Sequence, residues 1–584
     1  MSASFLDQYA VLKDQYRAVQ SAIGPLRLSK TDLLGLALRK SWHDICLLLG
    51  EVREDCRQMR WAYQLLILMA LGFAALSILE KIKASYASLS RRGVPTLKLP
   101  KGLHRWDYPA VLVEGARQYP NTPYIINDSG YEYVVFPASS FDEIKRLSMD
   151  QSSMVDYFTH VYFQGWPFLG KDNSALHKVI SSDLTRALPS RVGERQDHAK
   201  KAFEKAIGPC PEWKPFPIYS TFQKIVVTMN ATSLLGAKLG TDERWLNAVQ
   251  RFPIAIMVAV FITHAVPRFL RPFISTLVYL PAWFLYWSMT RLLMPKAEQD
   301  LRDFQSATLN DGKGSNDAHC KVDKGFPIMA WLMPRYSPKE RTLKQIMHDY
   351  IVSSFQSTPS TAATLYCMVV DLMTRPELIS DLREELSHFM KEGCLPQTQL
   401  SELQRLDSFM RESSRYNIFS HCSSYLLLVS HKPRSCIPLR NLAVTLLRRL
   451  QTPVQLSLGP ILPAGTLICV DAYHITRSPK HWDSPEKFDP LRFYRMRQQP
   501  GHAAQHQFAS LEFEQPVWGG GTQGCPGRFF ASHTIKILLA HLLTRYEVKV
   551  VPGSDGVKNR TMPNGTKMPD LGARILIREL KAVT

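Results

Sequence analysis

Ten cysteines are scattered through the 584 residues, and no two of them form a Cys-x-x-Cys pair. Zinc ribbons and thioredoxin-type sites both depend on that spacing, so neither is signalled. A chain of this length has no need of disulfide staples, and its cysteines read as reduced, mostly small buried hydrophobes in a cytosol-facing protein. No internal repeat, low-complexity tract or secretory signal is present. Acidic residues are few: 51 against 71 basic ones, a formal charge of +20. Such an excess suits an anionic membrane face, an acidic partner protein or a diffusely solvated surface. No Lys/Arg block carries interleaved aromatics, so a nucleic-acid partner is not expected.

One stretch lacks charge altogether. Trp61 to Leu79, "WAYQLLILMALGFAALSIL", runs nineteen residues without an Asp, Glu, Lys or Arg. That is long enough to cross a bilayer, with Trp61 and Tyr63 suited to one interface. Lys81, Lys83, Arg91, Arg92, Lys98 and Lys101 follow it, so the positive-inside rule places the C-terminal bulk in the cytosol. The chain therefore divides into a polar extension (1–60), a membrane helix (61–80), a basic Pro/Gly linker (81–105) and a soluble domain (106–584).

Within that domain "PYIINDSGYEYVVF" predicts a hairpin turning at Asn127–Gly130. Helical patterns dominate the remainder. Phe252 to Leu293 is apolar and broken by Pro267, Pro272 and Pro281, which predicts two greasy helices with a Pro-rich corner, dipping into a membrane surface. One long helix is expected over Leu343–Thr374, others over Asp381–Met390 and Leu403–Tyr416. Late strands are expected at Tyr546–Val551 and Ala573–Arg578. The class is mainly α with small β-sheets.

The chemistry concentrates in "VWGGGTQGCPGRFFA", Val517 to Ala531. Gly519, Gly521 and Gly524 spell G-x-G-x-x-G, but a dinucleotide loop needs a buried strand before it and an acid ending the next strand. The preceding segment is polar and carries Pro516; the next strand has Glu547 at its start. A thiolate site fits better. Pro526 suits the first position of a helix, which makes Cys525 its N-cap. The helix dipole, free amides and Arg528 would then lower the thiol pKa. Glycines without β-carbons let backbone lie flat against a large planar group. A buried thiolate beside a flat apolar wall is what a haem iron takes from its protein.

At these residues the chain resembles the cytochrome P-450 monooxygenases, whose haem-binding loop reads Phe-x-x-Gly-x-Arg/His-x-Cys-x-Gly. Trp518, Gly521, Cys525 and Gly527 match, with Gln523 at the Arg/His position. Three further motifs follow in the family's order. Glu412-Ser-Ser-Arg415 is an E-x-x-R, whose ends share a helix face. "FDPLRF" at 488–493 is similar to the family segment whose arginine, here Arg492, joins that pair; Glu412 is then ionised between two guanidiniums as scaffold for the haem loop. "FQSTPSTA" at 355–362 lies where the family places an acid and an alcohol beside the oxygen. Ser360 takes the alcohol position, Thr361 stands behind it, and Pro359 replaces the acid. Proline there predicts a kink.

The resemblance implies a cytochrome P-450 fold, a single haem domain behind an N-terminal membrane helix, at the endoplasmic reticulum with its catalytic domain cytosolic. It implies haem b with iron held by Cys525, backed by Trp518, Gly519, Gly521 and Gln523, with Arg448 and His177 on the propionate side. The implied reaction inserts one atom of O2 into a lipophilic small molecule, with NADPH electrons delivered by a membrane-bound reductase. The hydroxyls of Ser360 and Thr361 would hold a water that relays protons. Residues 115–147 look like filamentous-fungal members working in secondary metabolism, often on terpenoids. Two segments depart from the family, residues 1–60 and the run at about 417–443 between E-x-x-R and the next strand. Pro359 and that insert leave open a haem-binding relic without turnover.

Overall fold

The computed structural model describes residues 93–100, 108–309, 326–417 and 444–580, apart from short gaps at 129, 391–393, 397–398, 553–559, 562–566 and 569–571. The extension, the membrane span, most of the linker and the insert at 417–443, apart from Asn417, lie outside the described residues.

In chain order the main elements are α1 (Tyr108–Gln118), β1 (Tyr124–Asp128), β2 (Tyr131–Phe136), β3 (Ser152–Ser153), α2 (Met154–Val161), α3 (Ser174–Lys178) and α4 (Val192–Ala206). Next come β4 (Lys214–Pro217), α5 (Ile218–Leu235), α6 (Glu243–Ala265), α7 (Arg271–Val278) and α8 (Leu280–Leu309). Then follow α9 (Leu343–Ser357), α10 (Pro359–Thr374), α11 (Glu377–Phe389) and α12 (Gln404–Tyr416). The rest are β5 (Val444–Leu450), β6 (Leu467–Asp471), α13 (Ala472–Arg477), α14 (Arg492–Arg497), α15 (Arg528–Arg545), β7 (Tyr546–Val550), β8 (Arg560–Thr561), β9 (Lys567–Met568) and β10 (Arg574–Glu579).

Helices predominate, and the strands form a five-stranded sheet in the order β1-β2-β6-β5-β3, a three-stranded sheet β4-β10-β7 and the small pair β8-β9. The expected hairpin is β1 and β2, with Asp128 opposite Tyr131 and Gly130 in the left-handed region at φ 81°. Its outer strand pair joins the sheet through a parallel β2–β6 ladder.

Two helices have almost no solvent face. α5 buries all but two of its residues and α10 buries most of its length, which fits apolar residues on every side. They pack on each other and on α15, so the core runs through the middle of the helical layer. Side-chain caps set several starts: Asn173 accepts from Leu176 N–H at α3, and Thr342 accepts from Gln345 N–H at α9.

The long helix expected over Leu343–Thr374 is two helices. α9 ends at Ser357, Thr358 intervenes, and Pro359 opens α10 at its first position. Proline cannot donate to the Phe355 carbonyl, and here the chain restarts the helix rather than bending it. The Pro-rich corner falls at Val266–Leu270, between α6 and α7. Among the described residues α6 alone is long and apolar enough to cross a membrane, yet just over half of its apolar window is buried against the protein, the pattern of a core helix.

Candidate active site

The Gly-rich loop is built from two tight turns. Pro516–Trp518 forms one 3-10 turn, and Gly521–Gln523 forms the other. No strand precedes Gly519, as the rejection of a dinucleotide loop required. Gly519 sits at φ 72° and Gly521 at φ 63°, where a side chain is strained. Cys525 N–H donates to the Trp518 carbonyl at 2.8 Å and closes the loop. Trp518 is buried; its indole N–H donates to Phe508 O at 2.6 Å and its ring meets Phe508 edge-on at 5.2 Å. Neighbouring strand β5 is stitched to the same loop, since Thr445 Oγ1 donates to Pro516 O at 2.7 Å.

Cys525 is not the helix N-cap that the sequence suggested. α15 begins at Arg528 with Gly527 as its cap, and Cys525-Pro526-Gly527 is a turn leading into it. The expected fall in thiol pKa is likewise reversed. Burial pushes the Cys525 thiol up, while the Gly527 and Arg528 amides and the Arg528 charge pull the other way. The helix start does favour the anion, but desolvation outweighs it. A metal's positive charge would deprotonate a coordinating thiol outright.

A cavity of about 1060 Å³ opens on this loop. Cys525, Trp518, Gly519 and Gln523 line it, and so do Ser360 and Thr361 from the start of α10. Arg448 and His177 line it as well; Glu412, Arg492 and Gly521 do not. Ser360 Oγ donates to the Gln356 carbonyl at 3.2 Å, and Thr361 is buried at the same turn. Residues of strongly apolar character, Phe158, Phe163, Phe168 and Leu184, form part of the wall.

Three of the expected cofactor residues also bond to backbone. Gln523 gives its amide N–H to Ser152 O at 2.9 Å and Leu147 O at 3.3 Å, so it holds backbone. His177 Nε2 lies 3.1 Å from the carbonyl of Gly524, the residue before the cysteine. That tautomer donates, and His177 pins the loop. Arg448 is buried on β5 beyond an irregularity in the β5–β6 ladder, with Nη1 donating to Leu447 O at 3.0 Å. Leu446, inside that irregularity, has φ 51°, which re-aims the strand toward the cavity.

Glu412 and Arg415 form a fully buried bidentate pair, both bonds 2.8 Å, and Arg415 reaches the cavity wall while Glu412 does not. Arg492 Nε adds a third contact to Glu412 at 3.2 Å, and Asp489 N–H a fourth at 2.9 Å. Arg415 and Arg492 spend their remaining donors on the carbonyls of Thr476, Pro485, Asp483 and Lys487. The carboxylate thus gathers the chain segments that lead toward the cysteine loop.

Two groupings escaped the sequence. Asp349 on α9 accepts from Tyr336 Oη at 2.7 Å and Gln345 Nε2 at 3.1 Å, and Asn173 contacts both Asp349 and Tyr336. Asn230 on α5 bonds across to the α9–α10 break. Neither carries a local motif; the partners are brought together by folding alone.

The donor set fits haem. Among the described residues no three His, Cys, Asp or Glu side chains gather to hold a bare ion. Cys525 stands as a single donor on a wide cavity wall, which would suit an iron whose remaining protein-independent ligands come from a macrocycle.

This arrangement defines a haem-thiolate protein, and comparison with known proteins agrees. The fold matches the haem domain of cytochrome P450DA at TM-score 0.56 and 14% identity, covering 84% of this chain and 97% of that one. Retinoic acid-bound cyanobacterial CYP120A1 matches at TM-score 0.53 and 14% identity, over 80% and 94% of the two chains. Residues 439–576 match the family described as Cytochrome P450. The cytochrome P450 monooxygenase ffsD of Aspergillus flavipes is 38% identical over 97% of this chain and 98% of its own. The monooxygenase ccsD of Aspergillus clavatus is 40% identical over 83% and 92%, and the pyrichalasin C-18 hydroxylase of Pyricularia grisea 35% over 98% and 99%. The chain belongs to the cytochrome P450 family. It is a monooxygenase, an oxidoreductase that incorporates one atom of O2 into a small molecule.

Proposed function

We propose that this monooxygenase oxidises a C–H bond of a lipophilic small molecule, a terpenoid or related secondary metabolite, with NADPH electrons delivered by a membrane-bound flavoprotein reductase. The observation that carries the reading is that Cys525, Ser360 and Thr361 line one largely apolar cavity. Haem, when held by Cys525, supplies the centre that binds O2 and accepts the electrons. The protein's part is placement. Gly527 and Arg528 amides meet the Cys525 sulfur from the helix start. His177 fixes the peptide before it, and Thr445 ties the loop to β5. The aromatic wall excludes water and accommodates an apolar substrate. The Ser360 and Thr361 hydroxyls hold the water that delivers protons on the oxygen side. Arg448 is the cation suited to a propionate, since Gln523 is committed to backbone.

Membrane attachment belongs to the same reading. Phe273, Leu277, Leu280, Phe284 and Trp287 on α7 and α8 are all exposed, a contiguous stretch of large apolar side chains. They suit contact with the bilayer at whose surface a lipophilic substrate partitions.

A relic without turnover is the second reading, favoured by Pro359 in place of an acid. A carbon monoxide difference spectrum of the reduced protein, with Cys525→Ala as control, tests the thiolate. An NADPH-dependent product assay with reductase then separates enzyme from relic. An unchanged spectrum in the alanine variant would sink both readings.

A further inference from the structure

The α9–α10 break is gripped from outside by a buried polar chain. Asn230 Nδ2 donates to the Ser357 carbonyl at 2.9 Å. Asn230 Oδ1 lies 3.2 Å from Thr534 Oγ1, on α15. Arg195 Nη2, from α4, donates to the same Thr534 oxygen at 2.5 Å. Asn230, Thr534 and Arg195 are each at most 1% exposed.

The polarity of this chain is dictated from its ends. A guanidinium can only donate and a peptide carbonyl can only accept. Arg195 therefore makes Thr534 an acceptor, and the Thr534 hydroxyl turns its own proton toward Asn230 Oδ1, shared with the Phe530 carbonyl at 2.9 Å. That leaves the Asn230 NH2 facing Ser357. Among the described residues no carboxylate lies within ion-pair distance of Arg195, although Glu194 is near enough to act on its charge; its Nε and Nη1 find no acceptor there, and its guanidinium lies over the Phe530 ring at 4.4 Å. Its commitment to Thr534 is correspondingly firm.

In an unbroken helix the Ser357 carbonyl would accept the Thr361 N–H. Here the next backbone bond runs from Ala362 N–H to Thr358 O at 3.0 Å. Proline 359 starts the interruption by removing one donor. Asn230 holds it open by occupying the Ser357 oxygen. The Ser360 and Thr361 amides then belong to a helix first turn, where N–H groups lack intrahelical partners, on the cavity wall.

We propose that Asn230 is a positioning residue for the oxygen side of the site: it clamps the α9–α10 break open, in an orientation set by Arg195 through Thr534. The clamp rests on the reading of Ser360 and Thr361 as the oxygen-side hydroxyls, and the experiment separates the two.

Four variants of the haem-loaded full chain are compared: Asn230→Leu, Asn230→Asp, Thr534→Val and Thr534→Ser. Asp keeps the shape of Asn but cannot donate to Ser357; Ser keeps the hydroxyl of Thr. The first readout is amide hydrogen exchange over residues 355–364. The second is hydrogen peroxide formed per NADPH consumed. With the clamp gone, the Ser357 carbonyl turns to Thr361, whose amide exchange slows about five-fold, as one added buried hydrogen bond would give. Peroxide per NADPH rises by a similar factor in both Asn230 variants, less in Thr534→Val, and not in Thr534→Ser. Slowed exchange with unchanged peroxide would leave the clamp standing and remove Ser360 and Thr361 from the oxygen side. Unchanged exchange at Thr361, or faster exchange throughout α5 and α10, would overturn the clamp. Should Asn230→Leu fail to fold, Asn230→Asp and the Thr534 pair give the same decision.

Discussion

A β-carbon on Gly521 would lie 1.8 Å from the carbonyl oxygen of Lys145. Backbone cannot yield as a flexible side chain does, and Gly521 also sits at φ 63°. The cysteine loop is therefore pressed against the segment after Phe141 with no room between them. Gly521→Ala should displace the loop and cost roughly 2 kcal/mol or more. Haem content after purification and the carbon monoxide spectrum report it directly. Gly193→Ala, where a β-carbon would meet nothing within 4 Å and φ is not left-handed, is the control and should leave both unchanged.

Glu412 stands between two arginines with no exposure to water. Glu412→Gln keeps the shape and removes the charge, leaving Arg415 and Arg492 buried without their carboxylate. Breaking a buried pair from one side costs about 3–5 kcal/mol. The expected result is a large fall in urea midpoint together with loss of haem, although Glu412 does not line the cavity. A variant that keeps its haem and its midpoint would show the pair to be dispensable scaffold.

How much of this was legible before folding depends on where the partners sit in the chain. The Cys525 loop, E-x-x-R and the 124–136 hairpin declare themselves because the residues that matter are neighbours in sequence. The Pro359 interruption was also visible, but a bend and a restart differ only in whether Thr358 is recruited to a helix. Helix placement at Cys525 failed by two residues because Gly527, free of side-chain constraint, took the cap. Gln523 could not be assigned from the motif: its partners, Ser152 and Leu147, are some 370 positions away. Asn230 and Thr534 are separated by 304 positions, so nothing local marked them.

Ser360 and Thr361 line the cavity from one turn, and in the proposed function one hydroxyl could cover for the other in a single substitution. Ser360→Ala combined with Thr361→Ala should leave haem content and the carbon monoxide spectrum as in the parent. Peroxide per NADPH should rise and product per NADPH fall, by about ten-fold or more, within the range that positioned proton transfer contributes. The stoichiometry of NADPH, peroxide and product checks this in one assay. Product yield unchanged in the double variant would remove both residues from proton delivery.

Asp349 is buried on α9 with neutral donors around it: Tyr336, Gln345 and Asn173. Burial lifts its pKa to about 6; those hydrogen bonds pull it down, and nearby Glu340 adds to the lift. The sign follows from linkage. An acid whose folded pKa lies above its unfolded value contributes stability below the unfolded value and loses it as pH rises through the folded one. Between about pH 4 and 6 the folded state thus gives up stability that it does not regain at neutral pH. Asp349→Asn keeps the hydrogen-bonding shape and carries no charge to desolvate. Relative to the parent it should be stabilised at pH 7.5 by on the order of 2–3 kcal/mol, and the gain should fall to roughly a third of that by pH 4.5. Urea midpoints of both proteins at the two pH values, at matched haem content, measure the difference. A gap of equal size at both would mean that the carboxylate is as easily charged inside the protein as in the unfolded chain.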